Sequence, residues 1–142
     1  MLSEVSENVS APDTPGILTL SNVHHLHTEV RASLCDDHSL LDVIGRLHPT
    51  PAVGGTPRDR ALEFIRENEQ LDRGWYAAPV GWIDRSRGEF AVALRSGIIE
   101  GDSFALYAGC GIVADSDPQE ELAESILKLE PMRLAIAGDT DA

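Results

Sequence analysis

An α+β fold, built as an antiparallel meander sheet with flanking helices, is predicted by three features of this 142-residue sequence. Three β-rich stretches, Trp75–Ile83, Glu89–Ile99 and Ser103–Val113, follow one another through the short polar links Asp84-Arg85-Ser86-Arg87-Gly88 and Glu100-Gly101-Asp102. Links this short join only antiparallel neighbours. Apolar residues recur at helical spacing before the meander, at Leu40, Leu41, Ile44 and Leu47, and after it, at Leu122, Ile126 and Leu129. The order β, α, α, βββ, α has none of the alternation that builds a parallel sheet.

Each element has a local reason. Residues 1–16 are polar, contain Pro12 and Pro15, and read as a leader or connection; 17–137 read as one domain and 138–142 as an acidic tail. Ile17 to Leu20 and Val23 to Ala32 carry partly alternating β patterns and are placed as strands. Asp36 or Asp37 is a candidate cap for the first helix. His48-Pro49-Thr50-Pro51 ends that helix, because a residue before proline is pushed out of the α region. Ala52 to Gly55 then form a small-residue loop, and Thr56-Pro57 supply a cap and a first-turn proline for a helix running to about Glu67. Asp117-Pro118-Gln119-Glu120 open the final helix in the same way, and Pro131 is expected to kink or end it.

Composition narrows the function. Twenty-four acidic residues face eleven basic ones, for a formal charge of −13. That field repels phosphate backbones and argues against nucleic acid or an anionic membrane as partner. Solubility is the ordinary meaning of such a surface; adaptation to a high-salt cytoplasm is the sharper one. No stretch approaches the ~20 apolar residues of a membrane span, and the acidic start has no signal-peptide character. Two cysteines, Cys35 and Cys110, make no disulfide framework and point to a reducing, cytoplasmic setting.

Several constellations could carry chemistry. On the final helix Glu121, Glu124 and Lys128 fall within one narrow sector. Glu124 and Lys128 are also an ordinary i,i+4 pair worth about 0.5 kcal/mol, yet Lys128 is the only lysine in the chain. Two carboxylates suit Mg²⁺, which prefers a few such oxygens and keeps waters. Arg95 ends a strand in which Ala91 and Ala93 share its face, leaving room for a carboxylate above it; a solvated arginine is the equal alternative. Ala108-Gly109-Cys110-Gly111 lets backbone N–H groups approach an anion, or simply makes a bend. Cys110 reads as a small apolar filler. His25 and His27 share a strand face while His24 points away, and no spacing completes a zinc site.

Read in order, five segments resemble one family. They are Asn22-Val23-His24-His25-Leu26-His27-Thr28, Leu47-His48-Pro49-Thr50-Pro51-Ala52-Val53 and Asp72-Arg73-Gly74-Trp75-Tyr76-Ala77-Ala78-Pro79-Val80-Gly81-Trp82. Then come Ala108-Gly109-Cys110-Gly111-Ile112-Val113, and Asp115-Ser116-Asp117-Pro118 followed by Glu121 and Glu124. Together, from about Ile17 to Ile136, they resemble the C-terminal half of the chorismate-utilising enzymes. These include isochorismate, salicylate, anthranilate and aminodeoxychorismate synthases. The segment Leu47–Val53 is similar to isochorismate synthases, and Arg73–Trp82 to those of menaquinone synthesis. The amine-using branches carry a stretch ending Ser-Gly-Ala-Pro-Lys where this chain has Gly54-Gly55-Thr56-Pro57-Arg58.

The resemblance implies a Mg²⁺-dependent reaction in which water adds at C2 of chorismate and the C4 hydroxyl leaves, giving isochorismate. It implies Glu124 as a Mg²⁺ ligand with Glu121 close by, and Lys128 and Arg95 as anion-binding cations. It places Gly109, Cys110 and Gly111 beside a substrate carboxylate, His25 in the active site, and Ala52, Val53 and Tyr76 around the ring. The general acid and base of the family lie ahead of the histidine strand, so the resemblance implies no catalytic acid or base within this chain and an N-terminal partner segment that supplies them. A menaquinone, siderophore or salicylate branch, and a chorismate-binding remnant without turnover, are the alternatives it leaves. Half of a two-sheet fold is also expected to expose edge strands and an apolar face.

Overall fold

The computed structural model describes residues 1–19 and 24–138, which fall into two compact units, Met1–His48 and Pro49–Ala142. Leu20 and Val23 of the expected strands, and residues 139–142 of the expected tail, lie outside the described residues.

In the first unit a 3-10 turn, Leu2–Glu4, precedes β1 (Ser6–Ser10), β2 (Gly16–Thr19), β3 (His24–His27), β4 (Arg31–Leu34) and α1 (Leu40–Leu47). Strand β1 pairs antiparallel with β4, Ser6 opposite Leu34, and the β2–β3 hairpin lies between them in sequence. Regular structure therefore begins inside the stretch whose polarity suggests a connection. Buried Val5 and Ser6 anchor it, and the Val5 carbonyl accepts the Cys35 N–H at 3.2 Å. The single strand expected over Val23–Ala32 is two, each with its own partner. Helix α1 is capped by Ser39 in place of Asp36 or Asp37. Its hydroxyl accepts the Asp42 N–H at 3.3 Å while the Asp42 carboxylate accepts the Ser39 N–H at 2.7 Å, a reciprocal box. The Ser39 hydroxyl and N–H hold the Asp42 carboxyl below its ordinary pKa.

In the second unit come α2 (Pro51–Gly54), α3 (Arg58–Asn68), β5 (Pro79–Ile83), β6 (Gly88–Val92), β7 (Ser96–Glu100), β8 (Ser103–Tyr107) and α4 (Pro118–Ala137). The small-residue loop expected at Ala52–Gly55 contains a turn of helix begun by Pro51 and stopped by Gly55 at φ 79°. Pro57, and not Thr56, occupies the N-cap position of α3, without a side-chain capping bond.

The antiparallel α+β class is as expected, but the strands make two separate two-stranded ladders, β5–β6 and β7–β8, in place of one meander. The run Glu89–Ile99 breaks at Ala93, which faces both Ala77 and Ala78 through hydrogen bonds of 2.8 and 2.9 Å, after which the Leu94 N–H turns back to the Val92 carbonyl at 2.8 Å. Arg95 then takes φ 49°. Trp75–Ala78 is a turn, closed by the Ala78 N–H on the Trp75 carbonyl at 3.2 Å, and it follows directly on a turn closed by the Tyr76 N–H on the Arg73 carbonyl at 2.8 Å. In β5 a Cβ at Gly81 would meet the Glu89 carbonyl at 2.0 Å, so close strand pairing requires glycine there.

Helix α4 opens as its sequence demands. The Asp117 carboxylate accepts the Gln119 and Glu120 N–H groups at 2.9 and 3.1 Å, with Pro118 in the first turn. Pro131 does not end it; the helix continues to Ala137 and stops at Gly138, φ 77°. Among the described residues only Val5 and Ala77 are buried apolar side chains. Leu122 and Ile126, whose spacing suggests a core-facing stripe, are 62% and 52% exposed. No helix among the described residues is long and apolar enough to cross a membrane.

Candidate functional site

A cavity of about 320 Å³ in the second unit gathers most of the residues singled out above: Ala52, Val53, Tyr76, Gly109, Cys110, Gly111 and Lys128. Its size is that of a small-molecule site. Ala52 and Val53 reach it from α2. Tyr76 reaches it from the turn after Gly74, and its ring stacks on Tyr107 with centroids 5.7 Å apart and planes 18° from parallel. Gly109 lets that stack sit close, since a Cβ there would stand 2.8 Å from the Tyr76 hydroxyl and push the ring aside. The Cys110 thiol donates to the Glu121 carbonyl and accepts from the Ser125 hydroxyl, both at 3.4 Å. These contacts tie the glycine bend to α4.

The charged groups come from one face of α4. The Lys128 ammonium donates to the Gly109 carbonyl at 3.1 Å and pairs with Glu124 at 2.6 Å. Its side chain is 25% exposed against 55% for Glu124, so the cation sits at the cavity wall and the carboxylate outside it. Glu121 accepts from the Ser116 hydroxyl. That bond first, then the Cys110 thiol and the Lys128 charge, hold the Glu121 carboxyl below its ordinary pKa. Glu121 and Glu124 offer oxygens from adjacent positions of one helix turn. No group of three or more His, Cys, Asp and Glu that could hold a metal ion occurs among the described residues. Two carboxylates with the remaining positions left to water fit Mg²⁺, which is commonly bound in that manner.

Arg95 reaches the same place by a route different from the expected one. At φ 49° and outside both ladders, it does not share a strand face with Ala91 and Ala93. It lines a smaller hollow of about 80 Å³ together with Tyr76, Leu94, Gly109 and Lys128, four residues that also line the main cavity. Two cations thus converge on the Tyr76 and Gly109 edge. His25 lies in the first unit, on β3 opposite Leu18, and is exposed. In that hairpin it is His24 that bonds, with its Nδ1 3.1 Å from the Thr19 hydroxyl.

The cavity also has walls that sequence patterns did not single out, Glu69, Leu71, Leu94 and Tyr107, and walls present in the quoted segments without a role, Arg73 and Ala108. For Glu69 and Arg73 a signal existed, the i,i+4 spacing of acid and base. The Arg73 Nε donates to one Glu69 oxygen at 2.7 Å and Nη2 to the other, while Nη1 donates to the Val53 carbonyl at 3.1 Å. Bonding to Glu69 raises the Arg73 pKa further.

Comparison with known proteins bears on this site. The family model described as chorismate binding enzyme matches residues 1–137. Isochorismate synthase MenF of Bacillus subtilis is 50% identical over 139 residues, which are 97% of this chain and 29% of that one. The salicylate biosynthesis isochorismate synthase of Pseudomonas aeruginosa is 50% identical over 138 residues, 96% of this chain and 29% of its own length. A crystal structure from Bacillus anthracis, described as a 2,3-dihydroxybenzoate-specific isochorismate synthase, superposes with a TM-score of 0.86 at 37% identity, covering 96% of this chain and 37% of that one. The chain therefore spans about a third or less of the length of these relatives.

Proposed function

Because the chain belongs to the chorismate binding enzyme family, we propose that it is the C-terminal portion of an isochorismate synthase, holding chorismate while an upstream segment carries out proton transfer. The cavity carries this reading, because Lys128, a glycine bend and an aromatic wall line a space of small-molecule size, and Arg95 lines the hollow that shares its Tyr76 and Gly109 edge. A carboxylated ring needs those partners: charge for its anionic groups, backbone N–H groups close to them, and a flat apolar surface for the ring. Lys128 and Arg95 are assigned to the substrate carboxylates, with Gly109, Cys110 and Gly111 beside one of them, and Ala52, Val53 and Tyr76 to the ring. His25, on β3 of the first unit, keeps the substrate-binding role that the resemblance implies.

Glu121 and Glu124 are the chain's candidates for Mg²⁺. When bound, the ion supplies positive charge that holds a substrate carboxylate and eases departure of the hydroxyl. The chain's own residues orient the substrate and keep the ammonium of Lys128 beside Gly109. They include no free lysine for activating water, since Lys128 is the only one and is held by Glu124 and the Gly109 carbonyl. Acid and base are therefore assigned to the upstream segment. The free thiols of Cys35 and Cys110 suit a cytoplasmic setting.

The test joins the chain to its upstream segment and supplies chorismate and Mg²⁺. Isochorismate as the sole product is expected. Salicylate with pyruvate would move the protein to the salicylate branch, and binding without turnover would make it a remnant.

A further inference from the structure

We infer that Arg73 is a positioning residue that sets the spacing between two walls of the cavity, and not one of its anion-binding cations. The inference rests on the chorismate-binding reading above. Arg73 lines the cavity, so a third cation for the substrate is the obvious first thought. Its guanidinium is already committed. Two of its nitrogens grip the two oxygens of Glu69, and the third holds the Val53 carbonyl at 3.1 Å. The side chains of the pair are only 29% and 34% exposed, and the Glu69 charge cancels that of Arg73 at contact distance.

What the third bond holds is informative. Val53 lies in a helix of four residues, so short that its last carbonyls have no partners within it. Arg73 caps one of them, on a residue that walls the cavity. On the other side, the Arg73 backbone carbonyl accepts the Tyr76 N–H at 2.8 Å and so closes the turn that brings Tyr76 to the same space. Gly74, at φ 51°, gives the chain the left-handed step this turn needs. One residue thus joins the Ala52–Val53 wall to the tyrosine wall, its side chain fixing the first and its main chain the second. Lysine cannot substitute, because a single ammonium lacks the planar fork that satisfies Glu69 and Val53 together.

The experiment compares the wild-type chain with Arg73→Ala and Arg73→Lys by amide hydrogen exchange at Gly54 and Gly55, and by titration with chorismate and with pyruvate. Pyruvate, a small carboxylate, needs the cations but not the ring walls. Arg73→Ala should speed exchange at both glycines about tenfold and weaken chorismate binding about tenfold, with pyruvate binding changed less than about twofold. Methylguanidinium added to Arg73→Ala should restore chorismate binding, and Arg73→Lys should not. Equal losses for chorismate and pyruvate would make Arg73 an anion-binding cation and overturn the inference, as would unchanged exchange at Gly54 and Gly55. Should the wild-type chain bind neither ligand, the chorismate reading fails by itself, and the exchange rates alone decide whether the clamp exists.

Discussion

Lys128→Met is expected to weaken chorismate binding about a hundredfold, as the loss of a charged hydrogen-bond donor of about 2 to 3 kcal/mol predicts. Two observations raise this substitution above an ordinary change on a helix surface. The Lys128 side chain is three-quarters covered, and its ammonium bonds the carbonyl of Gly109 at the glycine bend. No second lysine exists to replace it. The companion variant Glu124→Gln separates two roles for the same pair. If Glu124 only neutralises Lys128, its removal frees the cation and strengthens anion binding with or without metal. If Glu124 holds Mg²⁺, its removal abolishes the gain in chorismate affinity that Mg²⁺ confers. Calorimetric titration with and without Mg²⁺ reads both, and the second outcome is expected. A Glu124→Gln chain that still responds fully to Mg²⁺ would remove Glu124 from the metal site.

The chain by itself is expected to convert no chorismate above the buffer rate, and to regain turnover when its upstream segment is added in trans or by fusion. A positioned acid or base contributes about 10² to 10⁴ in rate, so if both lie on the upstream segment, as proposed, the chain binds without chemistry. Lys128 cannot serve as the base while paired with Glu124 at 2.6 Å, because a protonated amine held by a carboxylate has no lone pair to offer. Product formation followed by chromatography over time checks this. Isochorismate made by the chain alone would place a general base among its own residues.

The sequence showed the α+β class and most element positions because the local signals were unambiguous. Asp117-Pro118 starts a helix wherever it falls before an amphipathic run, and Glu100-Gly101-Asp102 turns one strand back on the next. The breaks inside apolar runs were not legible. Nothing in Glu89–Ile99 announces that Ala93 will bond Ala77 and Ala78, a choice made by residues far away in sequence. The same break carried Arg95 off the strand face that alternation assigns to it, yet left it beside Tyr76 and Lys128. Ser39 outcompeted Asp36 and Asp37 as a cap because Asp42, three residues on, answers it. At the site, the residues on α4 and the glycine bend were readable because their chemistry is concentrated. Tyr107 was not, since it matters through a stack with Tyr76, and the role of Arg73 was not, since it acts through a carbonyl twenty residues away.

The scarcity of buried apolar side chains reaches into calorimetry. With Val5 and Ala77 the only ones among the described residues, little hydrocarbon is left to hydrate when the chain melts. Its heat-capacity increment should fall below the usual ~12–15 cal/mol/K per residue, giving a shallow, weakly cooperative transition. A segment that docked on Leu122, Ile126 and their exposed neighbours would sharpen that transition, so a scanning calorimeter could detect such docking before any assay of chemistry does.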